Sequence, residues 1–272
     1  TGVDPSLEHE NGYETRKVYW SLDEAKFLTT GYKQHKFDAI TATNVLAHVD
    51  NVHKFLEAVK LALAPDGIFY IEVPYLKDLI SDLRFDQIYH EHLSYFTFTS
   101  LYRLLNLHNF KCIRVEWLPI HGGSLGVFLH HQQYPIKIGN SEDMCLSMEQ
   151  NIKLNYSDFQ NKILLSKIRF HKDFKKLKGS TAIYGASAKA TVFLNYMEID
   201  QTMIECAFDD NQDKWDKYIP GTGIWISDPA YIGVDNIILT SWNVKEDLIL
   251  KARTAGFQGD FWYVNKGYFI KI

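Results

Sequence analysis

The sequence predicts an α/β protein built from two doubly wound sheets, one after the other along the chain. Apolar runs at residues 37–42 and 68–73 flank a helical pattern at residues 52–63, and a similar alternation begins again after residue 180. A strand, a helix and a second strand at this spacing form a βαβ unit, which implies parallel strands with helices on their faces. Ligands of such sheets bind at the carboxyl ends of the strands.

The first domain is predicted from six consecutive elements. These are a strand at 37–42, a helix at 52–63, a strand at 68–73, a helix at 99–106 and strands at 112–118 and 125–130. The helix has apolar residues on one side, as a helix packed against a sheet requires. Residues 65–67 (PDG) predict the end of that helix and a turn. The carboxyl ends of the first two strands then fall at residues 43–44 and 72–74.

The second half of the chain begins with a change in composition. Residues 141–178 are rich in polar residues with helical spacing, which predicts one or two connecting helices. Beyond them, strands are predicted at 181–184, 204–208, 236–239 and 261–264, with helices ending near residue 197 and covering 244–255. The predicted domains are therefore 1–140, 141–178 and 179–272.

Composition excludes several classes of protein. The 272-residue chain has a net charge of -4 and no long run of Lys or Arg, which favours neither nucleic acid nor an anionic membrane as a partner. Cys112, Cys145 and Cys206 are far apart, so they indicate no disulfide framework and no metal site, and favour a reducing, cytoplasmic location. No segment has the length of a membrane-spanning helix.

Residues 88–96 (IYHEHLSYF) concentrate the groups that carry acid–base chemistry. Imidazole takes up a proton near neutral pH, a neighbouring carboxylate can orient the ring, and a phenol can stabilise an oxyanion. The alternative is that these aromatic residues belong to the core, with their polar tips at the surface. A second alternative is a metal site, because His90 and His92 share one face of a strand and could be joined by Glu91 or His121.

A small-residue turn at residues 185–189 (GASAK) follows the first strand of the second domain. It places backbone N–H groups and the Lys189 ammonium at a helix N-terminus, where a phosphate is favoured. The turn is neither a P-loop nor a dinucleotide fingerprint. The alternative is that its small residues serve only close packing of the helix.

Six motifs along nearly the whole chain resemble one family. They are residues 44–48 (NVLAH), 72–75 (EVPY), 89–96 (YHEHLSYF), 121–125 (HGGSL), 184–189 (YGASAK) and 210–211 (DN) followed by 217–222 (KYIPGT). The chain resembles the S-adenosylmethionine-dependent sugar C-methyltransferases, which act on nucleotide-linked 4-keto deoxysugars. The resemblance implies a Rossmann-like methyltransferase domain followed by a domain that helps to hold the nucleotide sugar.

The resemblance also implies roles for individual residues. His92 matches the family's general base, and Tyr89, His90 and Glu91 complete the expected catalytic set. For the cofactor we expect Asp4, Asn44 and His48, with Asp4 at the family's position for the adenosyl ribose. The residues expected to bind the substrate are Tyr75, His121, Gly123, Ser124, Gly185, Ser187, Lys189, Asn211 and Tyr218.

The chain departs from the family pattern at three points. The family's zinc-binding cysteines and its first strand with a glycine loop have no match, so we expect an incomplete methyltransferase domain from a truncated protein. Zinc is expected only in that missing part, and no metal within this chain. Gly126 stands where the family usually has Arg. The alternative function is a non-catalytic remnant that binds a nucleotide sugar. The sequence does not fix the oligomeric state, and a monomer is consistent with it.

Overall fold

The computed structural model describes residues 1–5, 14–32, 35–133, 143, 146–147, 149–150, 153–231 and 233–272. It contains two compact units. The N-terminal unit comprises residues 1–76, 91–119 and 123–153, and the C-terminal unit comprises residues 77–90, 120–122 and 154–272. Cys145 and the start of the predicted connecting region lie outside the described residues. No helix in the described part of the chain is long and apolar enough to cross a membrane.

The N-terminal unit contains a four-stranded mixed sheet with the strand order β3-β4-β6-β5. Its elements are β1 (Gly2–Val3), β2 (Thr15–Arg16), α1 (Leu22–Lys26), a π-helix (Phe27–Tyr32), β3 (Phe37–Thr43), a 3-10 turn (Leu46–His48), α2 (Val52–Ala62), β4 (Leu63–Pro74), α4 (Phe98–Leu107), β5 (Phe110–Leu118) and β6 (Ser124–His131). Between β4 and α4, α3 (Leu76–Ser81) and a 3-10 turn (Phe85–Gln87) follow, and residues 77–90 belong to the C-terminal unit. Strands β3 and β4 are parallel, as predicted, and β6 pairs antiparallel with β4 and β5.

Helix α2 follows the predicted pattern. The Asn51 side chain caps it by accepting a hydrogen bond from the Lys54 N–H at 3.0 Å, which satisfies an amide that the first turn leaves open. Leu56 and Val59 are fully buried and belong to the same core cluster as Phe69 and Ile71 of β4.

The predicted turn at residues 65–67 is wrong. The chain leaves α2 directly into β4 at Leu63, and residues 65–67 lie within that strand. Their extra length is absorbed by an irregularity, because the pairing passes from Phe37 with Leu63 to Ala39 with Ile68. Residues 65–67 lie between these two paired positions, so the irregularity takes up the residues that were predicted to form a turn.

The C-terminal unit contains a six-stranded sheet in the order β12-β11-β10-β7-β8-β9. Its elements are α5 (Tyr156–Phe174), β7 (Thr181–Tyr184), α6 (Ala188–Met197), β8 (Ala207–Phe208), β9 (Ile226–Ser227), β10 (Asn236–Leu239), α7 (Lys245–Thr254), β11 (Asp260–Asn265) and β12 (Tyr268–Lys271), with 3-10 turns at Gln212–Lys214, Pro229–Tyr231 and Trp242–Val244. All neighbours are parallel except β12, which is antiparallel to β11. Strands β9 and β12 were not predicted, and the strand predicted at 204–208 is limited to β8.

Strands β7 and β10 lie side by side and end together. Tyr184, the last residue of β7, is paired with Leu239, the last residue of β10. The turn at residues 185–189 and the residues that follow β10 therefore leave the sheet at the same edge. This is the carboxyl edge, where ligands of parallel sheets bind.

Candidate functional site

Two histidines meet beyond the carboxyl end of β3. His48 closes the 3-10 turn after that strand, and its ring centroid lies 4.8 Å from the ring of His92, with the planes at 64°. Backbone hydrogen bonds fix this approach, because the N–H groups of Leu93 and Ser94 both donate to the Ala47 carbonyl, at 2.7 and 3.2 Å. The two residues that follow the Tyr-His-Glu-His motif (residues 89–92) are thereby attached to the turn that carries His48, and they hold His92 next to it.

Tyr95 adds a phenol to this pair. Its ring centroid lies 6.1 Å from that of His92 in an edge-on arrangement. His48 is exposed, whereas His92 and Tyr95 are half-buried. The three side chains are accessible enough to contact a bound molecule.

Asn44 marks the same end of β3. It adopts a left-handed conformation with φ of 54°, and its N–H donates to the Glu72 carbonyl at 3.0 Å. Its side-chain amide donates to the Glu72 carboxylate at 3.2 Å, so the buried Glu72 orients it. Asp4 follows β1 directly, and its N–H donates to the Arg16 carbonyl.

These residues fit an adenosyl cofactor in their chemistry. A carboxylate placed just after a strand accepts hydrogen bonds from the two hydroxyls of a ribose, which is the role expected for Asp4. The carbonyl of the Asn44 side chain is an acceptor whose orientation Glu72 fixes.

Residues 121–123 form a tight loop before β6. His121, Gly122 and Gly123 have φ values of 51°, 84° and 114°, which glycine tolerates and other residues rarely adopt. The Tyr75 N–H donates to the Gly123 carbonyl at 2.9 Å, and Ser124 is fully buried. Direct contacts of Tyr75, His121, Gly123 and Ser124 with the substrate stay a prediction.

Glu149 is a half-buried partner that the sequence did not reveal. The Tyr75 hydroxyl donates to it at 2.8 Å, and the N–H groups of Phe98 and Thr99 each donate at 2.7 Å. Glu149 thus caps the first turn of α4 from 50 residues away. Although burial favours its neutral form, hydrogen bonds from Thr99, Tyr75 and Phe98 hold the pKa of Glu149 below its usual range.

The first half of the motif belongs to the C-terminal unit, because the division between units falls between His90 and Glu91. Tyr89 is half-buried, and His90 and Glu91 are exposed. The rings of Tyr89 and His90 lie edge-on, with centroids 6.2 Å apart.

The turn after β7 has the close packing expected of its small residues. A Cβ on Gly185, whose φ is 105°, would lie 2.3 Å from the Ser241 hydroxyl, so only glycine fits. The Ser187 hydroxyl accepts a hydrogen bond from the Ala190 N–H at 3.3 Å and caps α6. The Ala186 N–H donates to Asp209 at 2.8 Å. These contacts stabilise the turn, and its binding of phosphate stays a prediction.

Lys189 lies in the first turn of α6 with its ammonium nitrogen 5.1 Å from the centroid of the Trp242 ring. Burial lowers its pKa, while the nearby Asp86 carboxylate acts in the opposite direction. Of the remaining predicted residues, Asn211 accepts a hydrogen bond from the Asp213 N–H and Tyr218 is 61% exposed. Trp242 and Asp86 were not predicted as site residues.

Within the described ranges, no three His, Cys, Asp or Glu side chains are grouped so that they could hold a metal ion. The alternative metal site at His90 and His92 therefore has no third ligand of these types among the described residues.

A Rossmann-like sheet followed by a second, mostly parallel α/β unit is consistent with a methyltransferase domain joined to a further α/β domain. Residues 119–264 match the family described as C-methyltransferase C-terminal domain, and residues 1–115 match a methyltransferase domain. The chain belongs to the C-methyltransferase C-terminal domain family.

A curated relative agrees with this assignment. C-methyltransferase NovU of Streptomyces niveus is 27% identical over 263 residues, which cover 91% of this chain and 62% of NovU. The chain thus spans less than two thirds of the length of that relative.

Proposed function

We propose that this protein transfers a methyl group from S-adenosylmethionine to a carbon atom of a nucleotide-linked 4-keto deoxysugar. The observation that carries the proposal is the placement of His92 beside His48 at the carboxyl end of β3. Membership of the C-methyltransferase family supports the reaction class. The name of NovU supports methylation at carbon.

His92 is the proposed general base. A carbon next to a ketone is a weak acid, so its proton must be removed by a positioned base of suitable pKa. The imidazole of His92 takes that proton, and the electron pair of the broken C–H bond moves towards the ketone oxygen. Tyr89 or His90 donates a hydrogen bond to that oxygen as its charge develops. Glu91 completes the proposed set by holding an imidazole in orientation.

Asp4, Asn44 and His48 are the residues proposed to hold the cofactor. When bound, S-adenosylmethionine supplies an electrophilic methyl group for the nucleophilic carbon. The contribution of the protein is to orient the two bound molecules, which alone lowers a bimolecular barrier by several kcal/mol, on the order of 7 to 11 in the best cases.

Lys189 is proposed to contact the diphosphate of the sugar nucleotide. Its charge is suited to an anion, and it lies at the carboxyl edge of the parallel sheet. The other proposed substrate contacts are Tyr75, His121, Gly123, Ser124, Gly185, Ser187, Asn211 and Tyr218. We propose a cytoplasmic location, because the three cysteines of the sequence are far apart and support no disulfide framework.

A methyl-transfer assay tests the proposal. The protein is incubated with S-adenosylmethionine and a panel of nucleotide-linked 4-keto deoxysugars, and the products are analysed by mass spectrometry and carbon NMR. We expect one sugar to gain a methyl group on carbon, and no product when the methyl donor is omitted. Binding of a nucleotide sugar without any transfer would instead favour the non-catalytic alternative.

A further inference from the structure

Trp242 is in contact with several polar groups in the C-terminal unit. It begins the 3-10 turn after β10, and its indole N–H donates to the Asp86 carboxylate at 2.6 Å. The Arg84 guanidinium carbon lies 3.8 Å from the centroid of its ring, and the Lys189 nitrogen lies 5.1 Å from it. One indole therefore adjoins two cations and one carboxylate, and cations on an aromatic face are attracted to it.

The carboxylate is the most buried member of this group. Asp86 is 6% exposed, and burial raises its pKa against the opposing effects of the Trp242 hydrogen bond and the charges of Lys189 and Arg84. Burial also lowers the pKa values of Lys189 and Arg84. A buried carboxylate needs hydrogen-bond donors and opposite charge, because otherwise its desolvation is not compensated. The indole N–H and the two cations provide both.

The loop at residues 121–122 approaches the same indole. A Cβ on Gly122 would lie 2.7 Å from the edge of the Trp242 ring, and the φ of Gly122 is 84°. The Gln87 side chain donates to the His121 carbonyl at 2.9 Å, and Gln87 is itself 3% exposed. Three distant stretches of sequence, residues 84–87, 121–122 and 189, thus converge on Trp242.

We propose that Trp242 is a positioning residue that holds the segment leading into Tyr89 and His90. Its N–H orients the Asp86 carboxylate, and Asp86 in turn provides the counter-charge for Lys189. Asp86 lies only three residues before Tyr89, so a change in its position moves the first half of the motif. The consequence for catalysis rests on the proposed function, in which Tyr89 or His90 stabilises the developing oxyanion.

Two variants separate the parts of this network. Trp242→Phe keeps an aromatic ring beside the two cations but removes the donor to Asp86. Asp86→Asn keeps an acceptor for the indole but removes the charge. Trp225→Phe is the matched control, because Trp225 is in the same unit and is 41% exposed.

Amide hydrogen exchange of residues 85–90 is measured first, in the protein without ligands. We expect about ten-fold faster exchange in Trp242→Phe and in Asp86→Asn, the change that loss of one charged hydrogen bond produces, and no change in Trp225→Phe. In turnover, kcat should fall about ten- to hundred-fold in both variants, with an unchanged KM for S-adenosylmethionine.

Unchanged exchange in both folded variants would overturn the proposal. Faster exchange with an unchanged kcat would also overturn it, since Trp242 would then be structural only. Failure of the proposed function is visible separately, as a wild-type protein that methylates no nucleotide sugar. In that case the amide hydrogen exchange of residues 85–90 alone decides whether Trp242 holds the segment that leads into Tyr89 and His90.

Discussion

Two regions of the molecule differ in how their polar side chains are stabilised. One is the pair His48 and His92 in the N-terminal unit. The other, the Trp242 group, lies in the C-terminal unit and consists of Trp242 with Asp86, Arg84 and Lys189. His48 is exposed and His92 is half-buried, at the end of a strand. Asp86 is almost fully buried, and its partners Arg84 and Lys189 have pKa values lowered by burial.

On the proposed function, this difference separates reactive groups from supporting groups. An accessible imidazole can exchange a proton with a bound molecule, and its replacement removes little packing. A buried charged side chain is stabilised by its hydrogen-bond donors and by opposite charges. Its replacement leaves a partner buried without that compensating interaction, which costs stability. Substitutions in the first region should therefore reduce activity alone, whereas those in the second should reduce stability as well.

The largest effect is expected for His92→Asn. Loss of a positioned base should lower kcat by about two to four orders of magnitude, with little change in the midpoint of thermal unfolding. Steady-state kinetics and calorimetry measure the two quantities. His90→Asn is the control from the same motif, and it should retain more activity.

Trp242→Ala should have the largest effect on stability. It removes half-buried aromatic surface and leaves the Asp86 carboxylate without its indole donor, so the free energy of unfolding should fall by about 2 to 4 kcal/mol. Denaturant unfolding measures it, with Trp225→Ala as the control. Equal losses in the two variants would remove the distinction between Trp242 and an ordinary surface tryptophan.

Lys189→Ala should weaken binding of a nucleoside diphosphate by about 1 to 3 kcal/mol, the value of a charged hydrogen bond. Titration calorimetry with ADP, GDP, UDP and dTDP measures it, and Lys271→Ala on β12 is the control. If the affinity does not change, the turn at residues 185–189 serves packing only.

Glu149→Gln should give the smallest effect, a loss of about 1 to 2 kcal/mol in the free energy of unfolding at pH 7. The folded-state pKa of Glu149 is depressed, so the stabilisation by its carboxylate is present above the unfolded pKa and is lost as the pH falls through the folded pKa. The difference between wild type and variant should therefore shrink on acidification, as measured by urea unfolding at several pH values. A difference independent of pH would contradict this assignment. Glu57→Gln on α2 is the control.

Most of the elements could be predicted because their signals are local. The strands β3 and β7 and the helices α2 and α6 follow from the periodicity of neighbouring residues. The Ser187 cap could also have been predicted, since serine is favoured just before a helix. The conformation of residues 65–67 could not, because it depends on the irregularity in the pairing of β3 with β4.

The supporting contacts of the candidate site could not be predicted from local patterns. Trp242 and Asp86 are 156 residues apart, and Glu149 caps a helix that begins 51 residues earlier. Only the folded chain brings such partners together. The histidine motif, in contrast, is contiguous and so was visible in the sequence.

Solvent exchange of the sugar's α-proton tests the central claim most directly. The nucleotide-linked 4-keto sugar is incubated in deuterated water without a methyl donor, and proton NMR follows loss of the signal next to the ketone. The account predicts exchange by the wild-type protein, slower exchange by Trp242→Phe and none by His92→Asn. Exchange at the native rate by His92→Asn, with none by His90→Asn, would contradict it and reverse the roles of the two histidines.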